Sequence, residues 1–567
     1  MKRKFIITCF LFICFCAFTQ VAVDVLDPFY EDVKIWENMR LINDTPSVRP
    51  YPLQEVKRIL EIIIETGDEG QKKIAEEHYN RFFGRAFHFG GKTEFTFKFP
   101  DKDYEIILSP VMDLNYEIHK YLTISANINA YLTNKLPSNS PQPAFMYSKH
   151  DLASDDVKVG KLYFLPVFNS GLSIGTPEYY FTANIARTDY GPFYKNNIII
   201  GSHALHQGQF NFAVNKPKWT YEQTFLTLSP TDDTGRSWLR PNKFLVAHSL
   251  NIRPLPWLSF GLVDSVIYGG RFEPIYLLPF SAFFVSQGLY GFPDNSLIGA
   301  MFTVKPIDGL RFDGVLYADD IGFNEIIKFK KDAKWRLAGQ FGTSYTMPKT
   351  HWFTSVDFHY TFVTPYTYTH YDGNSITSIN YQNYTHAGTP LGSNLPPNSD
   401  RIYLKLKFRP VHGLSINLSE TFIRHGNVSE SIEDVNVLRA YFSQEHTTDG
   451  SVFNHSYAHG AGTHSFLYST PFMKQKTIQY VNQLNLETSY TYPFAKSGGN
   501  MQFKIGYTFE ANINGGINSN IYKKTDKILT SDVEIIKEKD RQHGEWEKNA
   551  VGKQFNHFFN FAIKITY

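Results

Sequence analysis

The chain has 567 residues, more than one compact soluble domain usually holds, so it is either several domains or one large repetitive architecture. Aromatic residues make up 16% of it, with 49 Phe and 35 Tyr, against a hydrophobic share of only 42%. That balance argues against a core-rich α/β enzyme, and a formal net charge of +2 with no basic stripe gives no electrostatic case for nucleic acid.

The first residues carry an export signal. Lys2, Arg3 and Lys4 precede an apolar run from Phe5 to Phe18, and a cleavage site falls between Ala17 and Val23. Residues 1–22 therefore read as a cleaved signal peptide, with an uncleaved anchor as the alternative. All three cysteines, Cys9, Cys14 and Cys16, lie inside this segment. The mature chain then has no disulfide, no thiolate metal site and no Cys nucleophile. Lipidation needs small residues before the cysteine, and of Thr8, Ile13 and Phe15 only Thr8 is small. The best remaining apolar run, Ile275 to Val285, is too short for a membrane helix and is broken by Pro279. A membrane-inserted form must then be a closed barrel.

Residues 23–88 read as a periplasmic helical segment. Val33, Trp36 and Met39 are spaced for one face of a helix over Tyr30 to Met39, which Pro46, Pro50 and Pro52 follow and stop. A second helix runs from Leu53 to Glu65 with Val56, Ile59, Leu60 and Ile63 on one face, and a third from Asp68 to Phe83. Three short helices make no stable domain alone, so they are expected to pack on something larger.

From residue 89 to the C-terminus the period is two. Phe95, Phe97 and Phe99 alternate with Glu94, Thr96 and Lys98. The same alternation recurs at Ile124 to Ala130, Trp335 to Phe341, Trp352 to Phe362, Ile402 to Phe408 and Phe503 to Phe509. Short turns at Pro254 to Pro256, Lys305 to Gly309, Met347 to Thr350 and Pro410 to Gly413 contrast with long connections near 134–160, 363–400, 425–475 and 512–553. One short side and one long side is the asymmetry of an outer-membrane barrel. At about 9–11 residues per strand, the region accommodates roughly 16–20 strands, with about 18 the central value. The fold class is therefore all-β: a large closed antiparallel transmembrane β-barrel with a small N-terminal helical plug. The last strand places Phe559, Phe561, Ile563, Ile565 and Tyr567 on one face, an aromatic ending suited to the barrel assembly machinery.

Three segments resemble the Wzi-type capsule assembly family. They are Asp27-Pro28 through Leu41-Ile42 to Arg49-Pro50-Tyr51; Arg187-Thr188-Asp189-Tyr190-Gly191-Pro192 with Ile200-Gly201-Ser202-His203-Ala204; and His386-Ala387-Gly388-Thr389-Pro390-Leu391-Gly392 with Ser399-Asp400. The resemblance implies a plugged outer-membrane barrel that acts as a lectin for surface or capsular polysaccharide and helps retain it. The alternatives are a porin or transport channel, and a structural surface protein or adhesin in a cell without capsule.

Sugar binding uses aromatic faces and planar polar groups. Pro365 to His386 supplies Tyr366, Tyr368, Tyr371, Tyr381 and Tyr384, with His370, Asp372, Asn374 and Asn383. The same tyrosines would also serve as an interfacial girdle or as loop packing. Arg187, Asp189, Arg236, Arg240, Asp319 and Asp320 suit the lumen, where opposite charges pair to stiffen a barrel. The candidate ligand contacts are Tyr366, Tyr368, Tyr371, Asp372, Tyr381, Tyr384, Arg187 and Asp189. His446, His455, His459 and His464 lie in a Gly-rich loop, for which incidental histidines are a simpler reading than a metal site. No nucleophile motif stands out, so no catalytic residue, metal or cofactor is assigned. Lys523 to Lys548 reads as a solvated outer loop. The expected partners are polysaccharide, outer-membrane lipid and the assembly machinery, for a monomeric chain.

Overall fold

The computed structural model describes residues 24–43, 45–136, 139–146, 157–232, 242–319, 336–370, 379–443, 452, 472–495 and 498–567. The proposed signal peptide lies outside them, as do Tyr371, Asp372, Asn374, Arg236, Arg240, Asp320 and the four loop histidines.

The N-terminal segment forms helices α1 (Pro28–Asn38), α2 (Leu53–Thr66) and α3 (Glu69–Phe83). Asp27 caps α1 by accepting the Phe29 N–H, with Pro28 in the first turn, and Asp68 caps α3 by accepting the Gln71 N–H. Phe29, Trp36, Val56, Ile59, Leu60, Ile63 and Phe82 interlock as a small apolar core. Helix α1 departs from a simple amphipathic helix. Its polar Asp32, Glu37 and Asn38 are as buried as its apolar face, because the barrel wall closes over that side.

Eighteen antiparallel strands among the described residues close the barrel. In chain order they are β1 (Phe87–Phe99), β2 (Asp103–His119), β3 (Leu122–Thr133), β4 (Leu162–Thr176), β5 (Tyr179–Ala186) and β6 (Gln207–Lys216). There follow β7 (Trp219–Leu228), β8 (Lys243–Leu255), β9 (Leu258–Gly269), β10 (Asn295–Val304), β11 (Leu310–Asp319) and β12 (Leu337–Thr346). The last are β13 (Phe353–Val363), β14 (Ser399–Phe408), β15 (Leu414–Gly426), β16 (Ile478–Pro493), β17 (Asn500–Ile513) and β18 (Lys553–Thr566).

Alternation becomes inside and outside. On β1, Phe89 and Phe97 are 53% and 43% exposed on the outer wall, while His88, Glu94 and Thr96, at the alternate positions, are buried in the lumen. Strand β18 pairs with β17 on one side and with β1 on the other, from Gly90 opposite Thr566 to Phe99 opposite His557. That seam removes both sheet edges, and with them the unpaired backbone groups that a bilayer does not tolerate. Tyr567 exchanges backbone hydrogen bonds with Phe89 at the end of the seam, and its ring receives the Arg85 guanidinium at 4.5 Å. No described helix is long and apolar enough to cross a membrane; the outward Phe, Leu and Ile band of the strands does so instead.

The helices sit at the end of the short turns: Asp68 accepts the Thr350 N–H at 2.7 Å, and Glu77 and Asp32 meet His412 and Arg409. At the opposite end, long connections fold into a cap. After a short helix α4 (Phe283–Gly288), helix α5 (Val435–Ser443) and helix α6 (Asp532–Ala550) share a core of Val437, Leu438, Tyr441, Ile535 and Trp546. The segment around Lys523 to Lys548 is thus more than a solvated loop: it carries a capping box at Ser531 and Glu534 and buries one face.

The lipid-facing seam gives a quantitative expectation. Phe561, between Phe95 and Ile505 near mid-strand, tolerates charge poorly: Phe561→Arg lowers unfolding free energy in vesicles by about 2–4 kcal/mol, and Phe555→Arg near the rim by about 0–1 kcal/mol. Urea titration of folded protein in lipid vesicles measures the difference.

Candidate functional site

A barrel of this size has a lumen that side chains of the wall cannot fill. Here chain enters it from both ends. From the helix end, Val48 and Arg49 pair as a short ladder with Tyr190 and Asp189. The Ser47 and Val48 N–H groups donate to the Glu222 carboxylate of β7 at 2.9 and 2.8 Å. From the loop end, residues 187–206 fold inward instead of projecting outward. They carry Tyr190, Phe193, Ile198, Ile199, Ile200 and Ala204 into an apolar cluster with the inner wall.

The two insertions share a buried ion pair. Arg49 Nη2 lies 3.0 Å from Asp189 Oδ2, with both side chains almost fully buried. The guanidinium also donates to the carbonyls of Gly191 (2.9 Å) and Phe193 (2.7 Å), and Asn197 donates to Asp189 at 2.9 Å. These protein partners take the place of water around both charges.

Helix α1 docks on charges that point inward from the wall. Glu31 accepts from Lys405 (3.1 Å) and Lys407 (2.8 Å) of β14 and from Lys195 (2.8 Å) of the inward loop. Asp32 pairs with Arg409 and His78, Lys34 with Asp357, and Glu37 with Arg311. Burial alone pushes these helix carboxyls up, but their cations more than reverse it. Arg81 holds Asp27 at about 2 and Arg311 holds Glu37 at about 2, while Glu31 and Asp32 also sit well below the usual carboxylate range. Two cavities of about 70 and 80 Å³ flank α1, the second lined by Glu31, Lys34, Lys195, Arg401, Lys405 and Lys407. Volumes of that size have room for a handful of waters, at roughly 10–15 Å³ each, and are too small for a polysaccharide chain.

The candidate residues from the sequence divide clearly. Tyr368 and Tyr384 are buried and stacked at 5.4 Å. Their hydroxyls donate to the Ile198 carbonyl (2.6 Å) and the Ile199 carbonyl (2.9 Å), so they pin the inward loop. Tyr366 is buried in the cap core. Asp189 joins Tyr368 and Tyr384 in the lumen filling through its bond to Arg49, and Arg187 is buried beside it in sequence. None of these five presents a free face to solvent. Tyr381, packed over Gly269, is partly exposed. Tyr371 and Asp372 are outside the described residues. Asp319 lies inside the barrel, accepting the Tyr368 N–H at 2.7 Å. Arg49, Glu222, Arg311 and Glu31 organise the lumen, although none of them stands out in the sequence as a ligand contact. The signal available for them was Lys405 and Lys407, which alternate with Ile402, Leu404 and Leu406 and so demand buried counter-charges.

No protein-family profile matches the chain, and no curated protein is similar to it in sequence. Solved structures do match its fold. Wzi, described as an outer-membrane protein involved in group 1 capsule assembly in Escherichia coli and as a carbohydrate-binding β-barrel, aligns with a TM-score of 0.54 at 12% identity, covering 96% of this chain and 98% of that one. OccD3 (OpdP) of Pseudomonas aeruginosa aligns at 0.40 and 10% identity, covering 85% and 91%, and the outer-membrane protein OprD of the same organism at 0.39 and 10%, covering 86% and 94%. The chain has the fold of an outer-membrane β-barrel.

Two measurements check the lumen chemistry. Arg49→Met leaves Asp189 buried without its partner and destabilises the protein by about 3–5 kcal/mol, and adding Asp189→Leu recovers most of the loss; urea unfolding of both variants reads this. The helix carboxyls have folded pKa values below their unfolded values near 4. Their contribution is therefore complete above about pH 4 and lost as pH falls toward 2. Protease cleavage within residues 24–86 rises over that window and stays flat between pH 5 and 8.

Proposed function

We propose that this chain is a non-enzymatic outer-membrane lectin. It binds a surface or capsular polysaccharide on the loop side of the barrel and helps assemble or hold it at the cell surface. The observation that carries this reading is the lumen, occupied from both ends and locked at Arg49–Asp189. A wall this large with its interior packed by Ile198, Ile199, Ile200, Tyr368 and Tyr384 suits a rigid platform better than a solute path. The folded cap of α5 and α6 adds a structured outer face, and long glycans are bound on faces and clefts where rings stack. The likeness to the carbohydrate-binding Wzi barrel, together with the three sequence segments that resemble its family, supports the same direction. Among the described tyrosines of that stretch, the partly exposed Tyr381 is the proposed ligand contact.

The test pairs binding with conductance. Purified protein should retain polysaccharide extracted from its own cells, and deletion of the gene should release that polysaccharide into the medium. In planar bilayers the intact protein should pass no steady ion current. A steady open-pore current together with no glycan retention overturns the lectin reading in favour of a channel; no current and no retention leaves a structural surface protein.

A further inference from the structure

The connection from β9 to β10, residues 270–294, does not project from the barrel. Its ends are clasped where Arg271 Nη2 meets Asp294 Oδ2 at 2.6 Å, and the Tyr276 hydroxyl donates to the same carboxylate at 2.7 Å. From that clasp the segment runs back along the outer wall. Gln223 donates to the Leu277 carbonyl (3.0 Å), the Phe280 N–H donates to the Tyr221 hydroxyl (2.9 Å), and the Phe283 N–H donates to Asp264 (2.8 Å).

The wall beneath it is unusual. Tyr221, Gln223, His248 and Asp264 face outward, since their neighbours Glu222 and Ser265 point into the lumen toward Val48 and Tyr317. Gln223, His248 and Asp264 stand side by side in one ladder row, near the middle of strands of 10, 13 and 12 residues. Polar side chains at that height on a bare wall would meet hydrocarbon, which is costly. The segment covers them: the Phe283 ring stacks on His248 at 4.3 Å, and the Phe280 ring on Tyr221 at 4.1 Å. Beside this row, Phe225, Val246, Val266, Tyr268, Tyr276 and Phe283 form a separate apolar core on the outside of the barrel.

The far side of the segment is apolar and uncovered. Phe280 is 67% exposed, Val285 69%, Leu289 75% and Phe292 53%. No charged residue occurs from 274 to 293. The uncovered face is continuous with the lipid-facing wall of β9 and β10, where Phe260, Leu262 and Ile298 are likewise exposed. Its backbone is largely satisfied without water, through turns such as Ser286 N–H to the Ala282 carbonyl and Tyr290 N–H to the Gln287 carbonyl, besides the bonds to the wall. Such internal bonding lowers the cost of irregular chain at membrane depth, which is otherwise tolerated only where protein buries it.

We propose that residues 272–292 form a lipid-embedded flap, seated on the Gln223–His248–Asp264 row and taking bilayer acyl chains on its exposed face. This goes beyond the polysaccharide reading and depends only on the barrel lying in a membrane. The flap lets the wall hold a polar row at mid-height, and it makes this sector a lipid contact thicker than a single sheet.

Spin labelling tests it. The full chain carrying Cys9→Ser, Cys14→Ser and Cys16→Ser receives one further change at a time, Val285→Cys, Leu289→Cys or, on α6, Gly544→Cys, and is labelled with a nitroxide and placed in phospholipid vesicles. Positions 285 and 289 should collide with dissolved oxygen several-fold more than with a water-soluble nickel chelate, and position 544 should show the reverse. Strong nickel contact at 285 and 289 overturns the proposal by placing the segment in water. Low contact with both reagents overturns it by placing a second copy or another protein on the face. Sugar binding moves in neither case.

Discussion

Arg49 and Asp189 come from opposite ends of the barrel and meet inside it, with the guanidinium and carboxylate 3.0 Å apart and nearly sealed from water. Neither charge is affordable there alone. The arginine arrives on the chain that links α1 to α2, and the aspartate on the loop between β5 and β6. Each insertion therefore depends on the other. Once the pair forms, the carbonyls of Gly191 and Phe193 and the amide of Asn197 complete it, and the apolar run Ile198 to Ile200 is set against the inner wall.

The same logic of compensation governs helix α1. A helix carrying Glu31, Asp32, Lys34 and Glu37 is poorly suited to a buried position until it meets Lys405, Lys407, Arg409, Asp357 and Arg311. The lumen of a barrel can carry such charges because its inner face is not in contact with lipid. The result is a polar seal at the helix end and an apolar one at the loop end. Outside the barrel the rule appears a third time. The polar row Gln223, His248 and Asp264 is matched by an apolar segment that turns backbone polar groups and Phe283 toward the wall and Val285, Leu289 and Phe292 outward. Filling, docking and covering are three solutions to one requirement, that no polar group is left facing hydrocarbon or a dry interior unpartnered.

Much of the architecture is legible in local pattern. The alternation of Phe95, Phe97 and Phe99 with Glu94 and Thr96 states which residues face lipid, and the C-terminal run to Tyr567 states where the barrel closes. The spacing of Val56, Ile59, Leu60 and Ile63 marks α2 for the same reason, since side-chain direction follows from backbone geometry alone. The candidate site is far less legible. Tyr368 and Tyr384, in a polar stretch between two strands, have the composition of a sugar platform, yet they hold the carbonyls of Ile198 and Ile199. The run Ile275 to Val285 fails as a membrane helix by length, and nothing local says that it lies flat against an outer wall.

What the sequence by itself determined is the class of object: strands of membrane length, one short-turn side, a helical start and an aromatic closing strand. Those properties are periodic, and a period is a local quantity. What only the tertiary structure decided is where the connections go. Whether a loop projects, fills the lumen or covers the wall depends on partners 140 residues away, as for Arg49 with Asp189, or on a row of polar groups on three different strands. Such pairings exist only once the barrel has closed and brought inner and outer faces into being.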